Sequence, residues 1–496
     1  MNPIPPYSSC PSCNGRGKLT RKLKKKTRLH YQKKLEQYKT NKYQSAPPIK
    51  PSSPLIPCAD CSGSGVTPAT SHRLPDTINF PHVAIIGGGI GGTALAVAFL
   101  HRGIPFTLYE RDNNFDDRSQ GYGLTLQQAS KAIQGFGIFS LPSGIISTRH
   151  VVYSTDGKIV GEWGKRKWSE SKENTSAFGR KRTNIHIARQ SLRLELFKRL
   201  NGNKNVQWGH QLIDIKQNPA TNNDVADQPL ELTFQVNGKE KNVQADLVIG
   251  ADGIRSTVRK LLVGEQNTPL NYLGCIVILG ICKLSALEDQ DNTLLDSATV
   301  FQTANGKERI YMMPYSSDEI MWQLSFPMSE KDALLLSKKG VEELKKEAIR
   351  RTPWHDPIPQ IVKATLEEQI SGYPVYDRDL LTQEELQKNS QATLIGDAAH
   401  PMSPFKGQGA NQALLDALAL ARLITKECRP KSEWKKRGIR DCVLNDFESE
   451  MLTRSASKVA ASADAAQFLH SDVVLQEIDK PRGKSQKKDV TTKDKE

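Results

Sequence analysis

From Val83 to Leu100 the chain runs VAIIGGGIGGTALAVAFL, eighteen residues without a charge and with five glycines in the six positions 87–92. Such a run can satisfy its backbone in two ways: as a membrane-spanning helix, or as a buried strand, a tight turn and a buried helix. Each glycine costs a helix about 1 kcal/mol relative to alanine, so five together argue against a stable span. Charge returns at Arg102, and PFTLYER, from Pro105 to Arg111, has the pattern of a second strand. A strand, helix, strand unit of about thirty residues is the length of a parallel crossover.

Gly87, Gly89 and Gly92 satisfy G-x-G-x-x-G directly after the first strand and at the start of the helix. The first glycine suits a tight turn, the second lets backbone approach a pyrophosphate, and the third allows close helix-to-strand packing. The helix N-terminus then favours the negative charge. Glu110, with Arg111 behind it, falls at the end of the second strand, where a carboxylate accepts from ribose hydroxyls. The pattern implies a dinucleotide and leaves open which one.

Two distant segments bear on that choice. DLVIGADGIRSTVRKLL, Asp246 to Leu262, contains a strand, an Asp252-Gly253 turn and a helix with Ser256 and Arg259. TLIGDAAHPMSPFKGQGANQALLDALALARLI, Thr393 to Ile424, contains a strand, the Gly396-Asp397 turn, a loop and a long apolar helix. With the glycine turn, these segments resemble the three fingerprints of the single-component FAD-dependent monooxygenases, which include aromatic hydroxylases and tetracycline-inactivating monooxygenases. YPVYDRD, Tyr373 to Asp379, is similar to the segment this group places before its Gly-Asp turn. The resemblance covers about residues 80 to 470.

The resemblance implies FAD as cofactor, with Asp397 on its ribityl or ribose hydroxyls and Gly407, Gly409, Ala410 and Asn411 presenting backbone N–H groups to the flavin. Asp252 and Gly253 would border the groove serving FAD and NAD(P)H. Arg189, in HIARQSLRLEL, matches the arginine that contacts FAD, and Arg118 would face either flavin or NAD(P)H. His400 is expected to be structural. In the chemistry so implied, NAD(P)H reduces FAD, O2 gives a flavin C4a-hydroperoxide, and one oxygen atom hydroxylates or epoxidises a small organic substrate. No catalytic side chain is assigned.

The surrounding sequence implies an α/β fold: a doubly wound FAD-binding domain, an antiparallel-sheet substrate domain and a small N-terminal zinc-ribbon-like module. The expected boundaries are 1–75 for the basic module and 79–430 for the core with a substrate layer inserted at about 264–380. A C-terminal helical region, 431–478, and a disordered basic tail, 479–496, follow. Asp156-Gly157, Asn237-Gly238 and Asn305-Gly306 sit between β-rich runs, where positive φ at both turn residues suits hairpins. Met312, Met313, Tyr315, Met321 and Trp322 are candidate substrate-lining residues, which suits an apolar or aromatic substrate.

The net charge of +15 belongs to the ends: residues 1–66 hold thirteen Lys or Arg against Glu36 and Asp60, and the centre is near neutral. A neutral body points to an enzyme core rather than a nucleic-acid-binding surface. CPSCNGRG at Cys10 and CADCSGSG at Cys58 repeat C-x-x-C-x-G-x-G and resemble the knuckles of DnaJ-type cochaperones. Cys10, Cys13, Cys58 and Cys61 can form an all-thiolate zinc site, although 44 residues separate the pairs, more than in compact ribbons. Between them a basic helix with Tyr31, Leu35 and Tyr38 on one side suits RNA, an acidic protein or an anionic membrane surface. No charged region followed by an apolar stretch opens the chain, so a transmembrane or secretory segment is not expected and a reducing, cytoplasmic location is.

Overall fold

The computed structural model describes residues 4–41, 46–51, 53–117, 121–164, 184–200, 202, 204–217, 228–288 and 292–481. Its central element is a five-stranded parallel sheet in the spatial order Val206–Gln207, Phe106–Tyr109, Val83–Ile86, Leu247–Gly250, Ala392–Leu394. In chain order this is third, second, first, fourth, fifth. The reversal therefore falls between Val83–Ile86 and Leu247–Gly250, where doubly wound sheets bind their ligands. All four residues of Val83–Ile86 are buried, as is nearly all of the helix Ile90–Leu100. An apolar strand covered on both faces requires this continuous hydrophobic sequence.

A second, seven-stranded sheet lies beyond the first and is longest along Leu270–Lys283. It is antiparallel except where Thr299–Ala304 pairs in parallel with Arg149–Ser154. The expected insert at 264–380 supplies five of its strands; Arg149–Ser154 and Ile159–Trp163, which come in sequence between Phe106–Tyr109 and Val206–Gln207, complete it. Each of the three proposed turns joins neighbouring strands, but both φ values are positive only at Asn237-Gly238, at 49° and 78°. At Asp156-Gly157 and Asn305-Gly306 only the glycine is left-handed, because those loops are longer. The Asn305 side chain instead accepts from the Lys307 and Glu308 N–H groups.

The long C-terminal helix, Asn445–Phe468, packs on the Gly409–Glu427 helix. The basic helix forms over Lys25–Thr40 and buries no residue. Among the described residues no helix is long and apolar enough to cross a membrane. Most of the proposed disordered tail, from residue 482 onward, lies outside the described residues.

Candidate active site and cysteine centre

A cavity of about 940 Å³ opens at the sheet reversal and continues between the two sheets. Its walls include Gly89, Arg189, Gly253, Asp397, Gly409 and Arg309, so it joins all three sequence fingerprints to the second sheet.

The glycines have separate reasons to be glycine. Gly87 has φ +107°, and a Cβ there would lie 2.6 Å from the Ala251 carbonyl oxygen. A Cβ on Gly92 would lie 1.9 Å from the Gly87 carbonyl oxygen. Gly89 differs: its φ of −71° suits any residue, and a Cβ would meet no atom of the described residues within 4 Å. Nothing within the protein demands glycine at 89, and the space it leaves belongs to the cavity.

Asp397 is the exposed position in the otherwise buried stretch Gln391–His400, and what it faces is the cavity. Protein encloses it on its other sides; burial raises its pKa, against the opposing pull of Arg189 and His400. Arg189 begins the helix Arg189–Leu200 and donates its backbone N–H to the Tyr122 carbonyl at 3.1 Å. Its guanidinium carbon is 5.4 Å from the centre of the Tyr122 ring. Gly407, Gly409 and Ala410 bring the start of the Gly409–Glu427 helix to the cavity, and no side chain caps that helix. An uncapped terminus of this kind leaves N–H groups and a positive dipole end for a ligand.

Other expected residues stand outside the cavity. Asn411 is fully buried, accepts from the Gln127 and Ala129 N–H groups, and donates to the Thr125 and Gly407 carbonyls. Three of these four bonds latch the 125–129 segment to the helix. Asp252 accepts from Ser256 Oγ and the Val258 N–H, fixing the next helix, while its neighbour Gly253 lines the cavity. Glu110 accepts from the Gly88 N–H at 2.6 Å and the Asp112 N–H at 3.1 Å, bracing the glycine turn from behind. Arg111 is exposed beside it, and Arg118 lies outside the described residues.

Strand parity sorts the proposed lining residues. Met313 and Met321 reach the cavity, whereas Met312 and Trp322 point into the core on the opposite face of the sheet. Tyr315 donates its hydroxyl to the Gly121 carbonyl instead, and Tyr311 joins the lining. Arg309, 5% exposed, enters from the same face with its Nε donating to Gln302 Oε1 at 2.8 Å. Burial pushes its pKa down to about 10, and among the described residues no carboxylate pairs with it. His186 and His150 also line the cavity, joined through the Ser147 hydroxyl at 2.7 and 3.2 Å. Burial lowers their pKa values to about 3 and about 4, so both imidazoles are neutral at physiological pH.

Two further supports hold the fingerprints in place. Arg259, 2% exposed, donates to Thr268 Oγ1 and to the carbonyls of Asp379, Ala398 and Ala399, stitching the second fingerprint to the third. His400 has the structural place expected of it: its Nε2 is 2.7 Å from Asp416 Oδ2, which also takes the Gly396 N–H, while Asp416 Oδ1 accepts from Arg454. Burial opposes the charged forms, but the ion pair prevails, raising the His400 pKa and lowering that of Asp416. Asp416 therefore contributes stability above its unfolded pKa, near 4, and His400 contributes fully below its unfolded pKa, near 6.5. Stability should fall as pH rises through the raised His400 pKa. In thermal unfolding followed across pH 6 to 9, His400→Gln should flatten that slope; an unchanged slope would assign it to another group.

At the N-terminus, Cys10, Cys13, Cys58 and Cys61 are buried with their sulfurs all within 4.8 Å of one another. The two knuckles superimpose in their bonding: Gly15 donates to Cys10 O as Gly63 does to Cys58 O, each at 3.1 Å. Gly17 and Gly65 likewise donate to the Cys13 and Cys61 sulfurs, each at 3.2 Å. The Cys10–Cys58 and Cys13–Cys61 sulfur distances are 4.0 and 3.8 Å. A tetrahedron with metal–sulfur bonds of about 2.3 Å has edges of about 3.8 Å, which these two sulfur pairs match while the remaining pairs lie within 4.8 Å, so the donor set suits zinc. The long separation is taken up by the Lys25–Thr40 helix, which projects from the module.

Comparison with known proteins places these features. The FAD binding domain family matches residues 199–434. The aurachin C monooxygenase/isomerase of Stigmatella aurantiaca is 28% identical over 370 residues, 74% of this chain and 86% of that protein. The 6-hydroxynicotinate 3-monooxygenase of Bordetella bronchiseptica is 26% identical over 69% of this chain and 82% of its own. The structure of 2,6-dihydroxypyridine-3-hydroxylase from Arthrobacter nicotinovorans shares the fold with a TM-score of 0.64 at 18% identity, covering 83% of this chain and 99% of that one. Klebsiella pneumoniae HpxO, solved with FAD and uric acid, shares it at 0.61 and 18%, covering 80% and 90%. The family match and the relatives liken this chain to FAD-dependent monooxygenases of the aromatic-hydroxylase type, and the solved structures share its fold.

Proposed function

We propose that the chain uses NAD(P)H and O2 to hydroxylate or epoxidise an aromatic, anionic small molecule, and that its N-terminal module holds a structural zinc ion. The observation that carries this reading is the continuity of one cavity from the bare backbone at Gly89, past Asp397 and the uncapped helix, to Arg309 on the second sheet. The glycine turn would cradle the FAD pyrophosphate, Asp397 would accept from sugar or ribityl hydroxyls, and Arg189 would lie against the cofactor. The Gly409–Glu427 helix would direct its N–H groups at the isoalloxazine. Bound FAD supplies the redox and oxygen-transfer chemistry; the protein positions it, excludes water and sets the local field.

Charge supports an anionic substrate. Besides Asp397 the cavity has no acidic side chain among the described residues, against Arg189, Arg255, Arg309, Lys406 and Lys458. Arg309 sits beside Tyr311, with Gln323 Nε2 nearby on the next strand, buried and without a hydrogen-bond partner. A buried cation beside an unpartnered amide donor suits a carboxylate or phenolate. Relatives named for 6-methylsalicylate and 6-hydroxynicotinate oxidation agree with that class. Eight cysteines with no disulfide among them fit a reducing, cytoplasm-like compartment, and the exposed basic helix fits an acidic protein or RNA partner.

The test is a panel of aromatic acids offered with NADH or NADPH to the yellow, flavin-loaded protein, with mass spectrometry of products. Reductant oxidation with gain of one oxygen atom is expected. Oxidation without an oxygenated product on any substrate would make the protein a reductase instead.

A further inference from the structure

Arg102 and Arg422 are ionic groups that the monooxygenase reading leaves without a task. Arg102 follows the Ile90–Leu100 helix and is 0% exposed, yet its side chain bonds only to backbone: Nη1 to Ala98 O at 2.9 Å and Nη2 to Gly15 O at 3.0 Å. Arg422, on the Gly409–Glu427 helix, donates from Nη2 to Ser64 O at 3.0 Å. Both Nε atoms are buried without a partner, and no carboxylate pairs with either guanidinium among the described residues. A buried cation beside a partly buried one is costly when uncompensated. What they share is the cysteine centre: Gly15 and Ser64 each belong to one knuckle. A divalent ion held by four thiolates carries two net negative charges, which two arginines balance.

The two helices that supply these arginines also frame the cofactor cavity. Ile90–Leu100 begins at Gly89, and Gly409–Glu427 begins at the uncapped terminus. The module grips their opposite ends, with a further bond from Ser9 N–H to His101 O at 2.8 Å.

We propose that Arg102 and Arg422 are the counter-charges of the four-cysteine metal centre and that, through them, the loaded centre clamps the two helices that hold FAD. This rests on the zinc reading above. Outer groups that support a metal site commonly change its affinity by about 10- to 100-fold, and coupling between two sites is reciprocal. Metal loading and flavin retention should therefore strengthen each other.

The experiment uses the full-length protein. Zinc release to a chromogenic chelator should be about 10- to 100-fold easier for Arg422→Met and for the Arg102→Met/Arg422→Met pair, with Arg422→Lys in between and far-UV circular dichroism unchanged. FAD titration of metal-free protein should give a Kd at least about tenfold weaker, restored when zinc is returned, which separates coupling from unfolding. If the double variant does not fold, Arg422→Met alone decides, since Arg422 is only partly buried. Methionine variants that hold zinc like the parent would overturn the counter-charge assignment. Metal-free protein that binds FAD as tightly as loaded protein would overturn the clamp. Freshly purified parent without stoichiometric metal would instead remove the zinc reading itself.

Discussion

Replacing Gly89 with valine will give a folded protein that does not retain flavin. The backbone at 89 is already in a conformation open to valine, and the new side chain meets no protein atom, so the apoprotein should keep its thermal midpoint and circular dichroism. The branched side chain instead occupies the part of the cavity where the fold brings bare backbone to a pyrophosphate. Excluding that approach should weaken FAD binding by at least about 100-fold, or about 2.7 kcal/mol. Gly92→Ala gives the contrasting result. Its Cβ would stand 1.9 Å from the Gly87 carbonyl oxygen, so the turn itself must break and folding yield should collapse. A Gly89→Val protein that purifies fully yellow would show that the pyrophosphate lies elsewhere.

The same pair of glycines shows what sequence can convey. Spacing alone located a strand, a turn and a helix, and the structure has them at Val83–Ile86, 87–89 and Ile90–Leu100, because one apolar run with a forced break has few ways to pack. The fingerprints also met in space as the sheet order requires. Side-chain direction was less legible. Asn411 and Asp252 lie within the recognisable motifs, yet they spend their hydrogen bonds holding loops, while their neighbours Ala410 and Gly253 face the cavity. A motif marks a stretch of chain, and the backbone's rotation decides which member reaches the ligand. On strands the ambiguity is binary: Met312 and Met313 are equally apolar, and only the placement of the core on one face assigned Met313 to the cavity. The roles of Arg259, Asp416 and Arg454 were invisible for another reason. Their partners lie tens of residues away, at distances no local pattern encodes.

Arg309 is the residue whose loss should separate substrate recognition from everything else. Buried charges without acidic partners destabilise a fold, and replacing them with apolar groups of similar volume is often neutral or stabilising. Arg309→Met should therefore unfold at or above the parent's temperature and bind FAD normally, since the residue lies on the second sheet, away from the glycine turn. Against aromatic acids the effect should be large. Removing a buried cation that meets a carboxylate leaves that anion unpaired in an apolar pocket, a loss of about 3–5 kcal/mol. That corresponds to roughly 100- to 1,000-fold or more in kcat/KM, carried mainly by KM because the contact holds the ground state as well as the transition state. The corresponding amides, which bring no charge, should lose little, and Arg309→Lys should recover part of the preference for acids. Met313→Ala, on the same strand and lining the same cavity, should weaken acids and amides alike. If Arg309→Met also reduces acids and amides equally, the guanidinium shapes the pocket without reading the substrate's charge, and the anionic substrate class falls with it.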